Sequence, residues 1–494
     1  MHLSTFVEML ESGLADRVLV GSSTAGLTGA QLAHRVRCAA DQLGDVESIV
    51  YAGESHALLP VPVLAAAWRG VPFVPVNYRL DEDQLAALIE RQPGALVLGD
   101  ERTTDRLRRR SIAATELDAW LADIGDTPLD TPADDDDDVA IVLYTSGTTA
   151  EPKAALLRHR HLMAYLLGAV EYAGADETEA ALVSVPPYHI AGMANLLSNL
   201  FAGRRLVYLG HFDADEWLRI AADEHITHAM VVPTMLARIV DVLADGATPP
   251  AQLRTLSYGG SKIATSVIER ALALLPSTGF VNAYGLTETA STIAVLGPED
   301  HRAAVSTEDP AARARLGSAG RVLPSIEVEV RDDSDNPLPV GERGILHLRG
   351  EQVAGEYATG SVLDADGWFC TRDSAWVDAD GYLFIEGRTD DTIIRGGENI
   401  APAEVEDALM SHPDVEDACV IGVPDDEWGQ RIAAVVVLRA GGRTDSEALR
   451  VHVRDRLRSS KTPDSIAIAA ELPRTPTGKL LRRVVRDQML DAST

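Results

Sequence analysis

The run Tyr144-Thr-Ser-Gly-Thr-Thr-Ala-Glu-Pro-Lys153 gathers four Ser/Thr hydroxyls, one glycine and a terminal lysine, directly after the apolar residues 139–143. That composition suits an anion. Successive backbone N–H groups in such a turn form a nest for negative oxygens. The hydroxyls add donors, Gly147 permits close backbone approach, and Lys153 adds a compact charge. The spacing is not GxxxxGK[ST], so this is not a Walker-type loop. A Ser/Thr-rich surface turn is the bland alternative. The apolar strand that feeds the loop and its Pro-Lys ending favour a phosphate site. Lysine usage adds to this. Of 44 Lys+Arg residues only Lys153, Lys262, Lys461 and Lys479 are lysine. A chain that prefers arginine keeps lysine where a point charge is needed, with chance survival as the competing explanation.

Other segments of chemical interest follow. They are Pro186-Pro-Tyr-His-Ile-Ala-Gly192, Tyr258-Gly-Gly-Ser261, Asn282-Ala-Tyr-Gly-Leu-Thr-Glu-Thr289 and Gly367-Trp-Phe-Cys-Thr-Arg-Asp373. Gly387-Arg-Thr-Asp390, Ile394-Arg-Gly-Gly-Glu-Asn-Ile-Ala-Pro-Ala-Glu404 and Pro473-Arg-Thr-Pro-Thr-Gly-Lys-Leu480 complete the series. In type and order, over nearly the whole chain, they resemble the adenylate-forming superfamily of acyl-CoA synthetases, peptide-synthetase adenylation domains and luciferases. Three positions depart from its pattern. Ala150 and Ala154 stand where the phosphate loop usually has glycine, and Arg372 replaces the glycine of GWFxTGD. Alanine does not adopt φ > 0 cheaply, so Ala150 bears on nucleotide binding.

The resemblance implies roles residue by residue. Thr145, Ser146, Gly147, Thr148, Thr149 and Lys153 would cradle the ATP phosphates. Gly259, Gly260 and Ser261 would flank the adenine together with Asn282, Ala283, Tyr284 and Gly285, and Tyr284 would stack on it. Thr287 would contact the α-phosphate and Glu288 would ligate Mg²⁺, an ion suited by one carboxylate plus phosphate oxygens. Asp373 would accept the ribose hydroxyls, and Arg388 would help hold ribose or phosphates. Lys479 would be the adenylation lysine, with Thr287, Glu288 and His189 completing the catalytic set. His189 would sit near the substrate carboxylate, in an acyl pocket walled by Tyr188, Met193, Met230, Met235 and Gly260. Asp390 would be the hinge, Gly396 and Gly397 would let a thiol donor approach, and Trp428 would pack against coenzyme A. A half-buried core tryptophan is the other reading of Trp428.

The implied activity is ATP-dependent activation of a carboxylic acid as an acyl-adenylate, followed by thioester formation with coenzyme A. Loading of a carrier protein's phosphopantetheine is one alternative. A nucleotide-binding relative with weak catalysis is another, motivated by Ala150, Ala154 and Arg372. No Asp stands in residues 186–192 to pair a substrate amine, which disfavours an amino acid. An aliphatic or aromatic acid fits the pocket better than a charged one.

These residues need a scaffold. Helical patterns over 29–43, 59–69 and 82–91 alternate with strand patterns over 48–51, 71–75, 95–98 and 139–144. Such alternation predicts a mostly parallel sheet covered by helices, an α/β class. Short β patterns at 326–331, 344–349 and 382–386 predict a β-rich subdomain. Strands over 392–394, 415–423 and 432–438, with helices over 403–411 and 447–458, predict a small mobile α+β domain. The expected division is 1–389 for the large domain and 390–494 for the small one. Residues 126–138 contain two prolines, end in five aspartates, and read as a solvated linker.

Bulk properties narrow the class. A chain of 494 residues exceeds a single core. The net charge of −31 argues against nucleic acid, which needs a basic footprint. No apolar run reaches membrane-span length, and the first residues lack a secretory pattern. Cys38, Cys370 and Cys419 give no disulfide framework, so a reducing cytoplasm is expected. A monomer or homodimer is expected.

Overall fold

The computed structural model describes residues 1–145, 152–396, 398–425, 428–439, 441–474 and 480–491. The predicted elements form with small shifts at their ends. The helix Gly29–Gln42 opens on a capping box, in which Thr28 and Gln31 satisfy each other's backbone N–H groups. It buries Leu32, Ala33 and Val36. The helix Pro60–Arg69 begins with proline, ends at left-handed Gly70, and is buried almost throughout.

Two large sheets carry the chain to Arg388. In the first, Val139–Thr145, Phe73–Pro75, Ser48–Ala52 and Ala95–Gly99 run parallel, in that spatial order. Lys153–Arg158 turns back antiparallel on Val139–Thr145, with Thr145 opposite Lys153. In the second, the parallel strands Arg205–Tyr208, Ala180–Val183, His228–Val231, Thr255–Gly259 and Gly279–Leu286 lie side by side. Antiparallel strands then extend it through Ser291–Leu296, Gly320–Val322, Tyr382–Arg388 and Phe369–Val377. The parallel strands are largely apolar and pack in two separate cores, one including Trp68 and the other Trp217. The expected β-rich portion is the antiparallel half of this second sheet.

After Asp391 a separate sheet forms from Val415–Asp425, Gly429–Leu438 and Ser465–Ala469. Helix Pro402–Met410 packs on it with its own apolar core, which includes Val405, Leu409, Val420 and Val436. The parallel third strand, Ser465–Ala469, and the last helix, Arg482–Asp491, are additional to the expected elements.

One expectation is corrected. Residues 126–138 are solvated but do not behave as a free linker. Trp68 Nε1 donates to the Leu129 carbonyl at 2.8 Å, and the Ala133 N–H donates to the Trp68 carbonyl at 2.9 Å. Asp136 pairs with the chain's amino terminus and Asp137 with Arg160. Asp136 and Asp137 thus have local cations, and the segment is fastened to the helices beside the first sheet. No described helix is long and apolar enough to cross a membrane.

Candidate active site

Strand register assembles the nucleotide-side residues. Asp373 and Arg388 lie opposite each other on antiparallel strands, and an Arg388 guanidinium nitrogen sits 3.5 Å from Asp373 Oδ1. Tyr284 lies in strand Gly279–Leu286 of the same sheet, and its hydroxyl donates to Asp373 Oδ2. Burial, with Asp373 second, pushes the Tyr284 hydroxyl's ionisation far up, so it remains a donor. Asp373 is buried, and the Thr371 hydroxyl accepts from its backbone N–H at 3.0 Å. The carboxylate expected to meet a ribose is thus already oriented from both sides. Gly285 has no room for a side chain, since a Cβ there would stand 1.9 Å from the Ser291 carbonyl oxygen.

Four residues beyond Tyr284, Glu288 sits in the short helix Thr287–Thr289. The N–H groups of Ala354 and Gly355 donate to its carbonyl at 2.9 and 3.1 Å. Tyr357 donates its hydroxyl to Glu288 Oε1, and Lys153 Nζ lies 5.6 Å from the same ring's centre. Tyr357 therefore joins the loop lysine to the expected metal ligand. Its strand is held by Arg158, which grips Glu356 with two nitrogens at 2.6 and 2.8 Å. Those bonds keep the Glu356 carboxyl below its usual range. Sequence reasoning missed Tyr357, because pairing between residues 155 and 357 is long-range and leaves no local spacing.

No cluster of three or more metal-ligating side chains occurs among the described residues.

His189 is the N-cap residue of helix Ile190–Ala202, its ring 4.6 Å from that of Tyr188. Tyr188 in turn meets Tyr78 edge-on. A cavity of about 460 Å³ lies between that helix, the helix His159–Ala169 and the second sheet. Of the residues expected to border an acyl pocket, Tyr188, His189, Met193, Met230, Met235 and Gly260, Met230 lines it. Met193 and Met235 pack in the two large cores instead. The cavity also meets Tyr165, Asn195, Ser257 and Ala283. Ala283 precedes Tyr284, which brings the cavity beside the nucleotide-side cluster.

Near the expected hinge, an Arg372 guanidinium nitrogen lies 3.8 Å from the Asp390 carboxylate. Gly396 has φ +57 and donates its N–H to the Trp428 carbonyl at 2.8 Å, and a Cβ there would meet the Trp428 ring at 2.9 Å. Trp428 is 47% exposed, so it is not a core residue. Lys262 pairs with Asp407 at 2.6 Å and Lys461 with Glu404 at 2.5 Å. Ser146, Gly147, Thr148, Thr149, Ala150, Gly397 and Lys479 lie outside the described residues.

Comparison with known proteins gives concordant matches. Residues 12–358 match the family described as AMP-binding enzyme, and residues 404–479 match the AMP-binding enzyme C-terminal domain. A feruloyl-CoA synthase of an Amycolatopsis species is 36% identical, over 92% of this chain and 91% of that protein. A fatty acid–[acyl-carrier-protein] ligase of Streptomyces coeruleorubidus is 32% identical, over 93% and 89% of the two chains. The structure of O-succinylbenzoate coenzyme A synthetase from Bacillus subtilis, in complex with ATP and magnesium ion, superposes with a TM-score of 0.84. It is 26% identical and covers 97% of this chain and 98% of that one.

Proposed function

The chain belongs to the AMP-binding enzyme family, and we propose how its residues carry the reaction of an ATP-dependent, AMP-forming acid–thiol ligase. Its substrates are a carboxylic acid, ATP and coenzyme A. A carboxylate resists thiol attack because its oxide is a poor leaving group. Attack by the carboxylate oxygen on the ATP α-phosphate forms the acyl-adenylate and expels pyrophosphate. Thiol attack on that carbonyl then forms the thioester and releases AMP. The first step needs alignment and charge neutralisation rather than a protein nucleophile.

Asp373 accepts the ribose hydroxyls, with Tyr284 and Arg388 fixing its carboxylate. Thr145 and Lys153 bracket the phosphate loop, and Thr287 reaches the α-phosphate. Glu288 would hold Mg²⁺, which supplies charge neutralisation on the phosphates. Lys479 approaches the carboxylate and α-phosphate for adenylation, and His189 borders the carboxylate. Residues 390–494 then turn about Asp390, withdrawing Lys479 and bringing Gly396, Gly397 and Trp428 toward the thiol donor. Three free cysteines suit a reducing compartment such as the cytoplasm.

The observation that carries this reading is the contact of Tyr284 and Arg388 with the buried Asp373 carboxylate, with Glu288 on the same segment as Tyr284. The test is a panel of carboxylic acids with ATP and Mg²⁺, following pyrophosphate, then AMP on addition of coenzyme A. Retained ATP binding without pyrophosphate release from any acid would sink it. Substituting a phosphopantetheinylated carrier protein for coenzyme A tests the other acceptor, the one named in the Streptomyces relative.

A further inference from the structure

The cavity beside Ala283 is not a plain apolar sleeve. Apolar side chains such as Met230 and Ala283 share its wall with Tyr165, Asn195, Asn199 and Arg204. The polar members form a chain of fixed polarity. Arg204 Nε donates to Glu179 Oε2 at 2.8 Å, so the guanidinium is anchored and its charge matched. Arg204 Nη1 also donates to Asn199 Oδ1 at 3.4 Å. An arginine only donates, which makes that atom of Asn199 the oxygen and leaves its amide nitrogen as donor. Asn199 Nδ2 donates to Asn195 Oδ1 at 2.5 Å. The orientation of Asn195 follows, and its Nδ2 has no hydrogen-bond partner among the described residues. Asn195 is 6% exposed. A buried, unpaired amide donor is expensive, and a cavity wall is where a ligand could satisfy it.

Nothing in the polar chain offers a free cation. Arg204 is matched by Glu179, and burial with Arg204 nearby holds the His228 imidazole well below its ordinary range, hence neutral. A second carboxylate at this end would be desolvated without a counter-charge, which disfavours a diacid.

Resting on the ligase reading, we propose that the substrate is an uncharged-tailed acid with an oxygen acceptor at the end away from its carboxylate, and that Asn195 Nδ2 donates to that oxygen. An aryl acid with an ether, carbonyl or phenolic oxygen on the far side of the ring has that shape. Asn195 is then a specificity-determining residue rather than a catalytic one.

The test compares two acids of equal shape, 4-methoxycinnamate and 4-ethylcinnamate, in which one oxygen becomes a methylene. Wild type is expected to favour the methoxy acid by about tenfold or more in kcat/KM for pyrophosphate release. Asn195→Ala, and Asn195→Asp, which keeps the shape but removes the donor, are expected to bring the ratio toward one. A wild-type ratio near one, or a ratio unchanged in the variants, overturns the proposal. The wild-type comparison stands even if a variant does not fold. If neither acid releases pyrophosphate, calorimetric binding of the two acids separates the claims. A wild-type preference for the methoxy acid that is lost in the variants supports the Asn195 contact, and equal binding overturns it, while the ligase reading is judged separately on the full panel of acids.

Discussion

Arg372 holds a left-handed backbone, φ +60, and reaches toward Asp390 with 3.8 Å between guanidinium nitrogen and carboxylate oxygen. Its carbonyl also accepts from the Thr389 hydroxyl at 3.1 Å. The related pattern has glycine here, and the backbone has kept the conformation that glycine takes freely. A strained cation thus stands between the ribose-side Asp373 and the proposed hinge.

Arg372→Gly should therefore fold without loss. Relief of a left-handed non-glycine residue is worth about 1–2 kcal/mol. Glycine's extra chain entropy takes back about 0.5–1 kcal/mol, and an exposed ion pair contributes about 0–1 kcal/mol. A thermal melt should show no drop, and separate half-reaction assays should show the thioester step changing more than adenylation.

Asp390→Pro, which fixes the backbone dihedral at the proposed pivot, should impair thioester formation by about tenfold or more and spare adenylation. Equal losses in the two half-reactions would remove Asp390 from the hinge role.

Glu288→Gln keeps the acceptor for Tyr357 but removes the charge expected to hold Mg²⁺. Pyrophosphate release should fall by about 100-fold, with a rightward shift in the Mg²⁺ titration. An unchanged titration would assign the metal elsewhere.

Acid should destabilise the fold through a buried histidine group. Burial lowers His159 to about 3 and His161 to about 4, and lowers His2 as well. The His159 ring lies 3.6 Å from that of His2, and neither of its nitrogens has a hydrogen-bond partner among the described residues. The folded pKa lies below the unfolded one, so the unfolded chain binds protons first as pH falls. Stability is whole above about pH 6.5 and declines toward pH 3–4, by on the order of 3 kcal/mol for His159 at pH 4. Denaturant midpoints measured across that range should show the slope, and His159→Leu should flatten it.

Much of this was legible because it is local or ordered along the chain. Sequence patterns located the helices at 29–42 and 60–69, and the motif order singled out Tyr284, Asp373 and Arg388, which the fold brings together. What escaped depends on contacts distant in sequence. Tyr357 reaches Glu288 through a strand pairing some two hundred positions away from residue 155, and Asn195 acquires meaning only from Arg204 and Glu179 across a helix end. Met193 and Met235 looked like pocket walls by type, yet they face the cores, because helix phase rather than hydrophobicity decides the side they occupy.

The scarcity of lysine has a practical consequence. Lys262 and Asp407 belong to opposite sides of the proposed pivot, whereas Lys461 and Glu404 share one side. If the small domain turns, the first amine is released and the second is not. Acetic anhydride pulses read by peptide mass would then time the turning, with Lys461 as the internal clock and few other amines to blur the record.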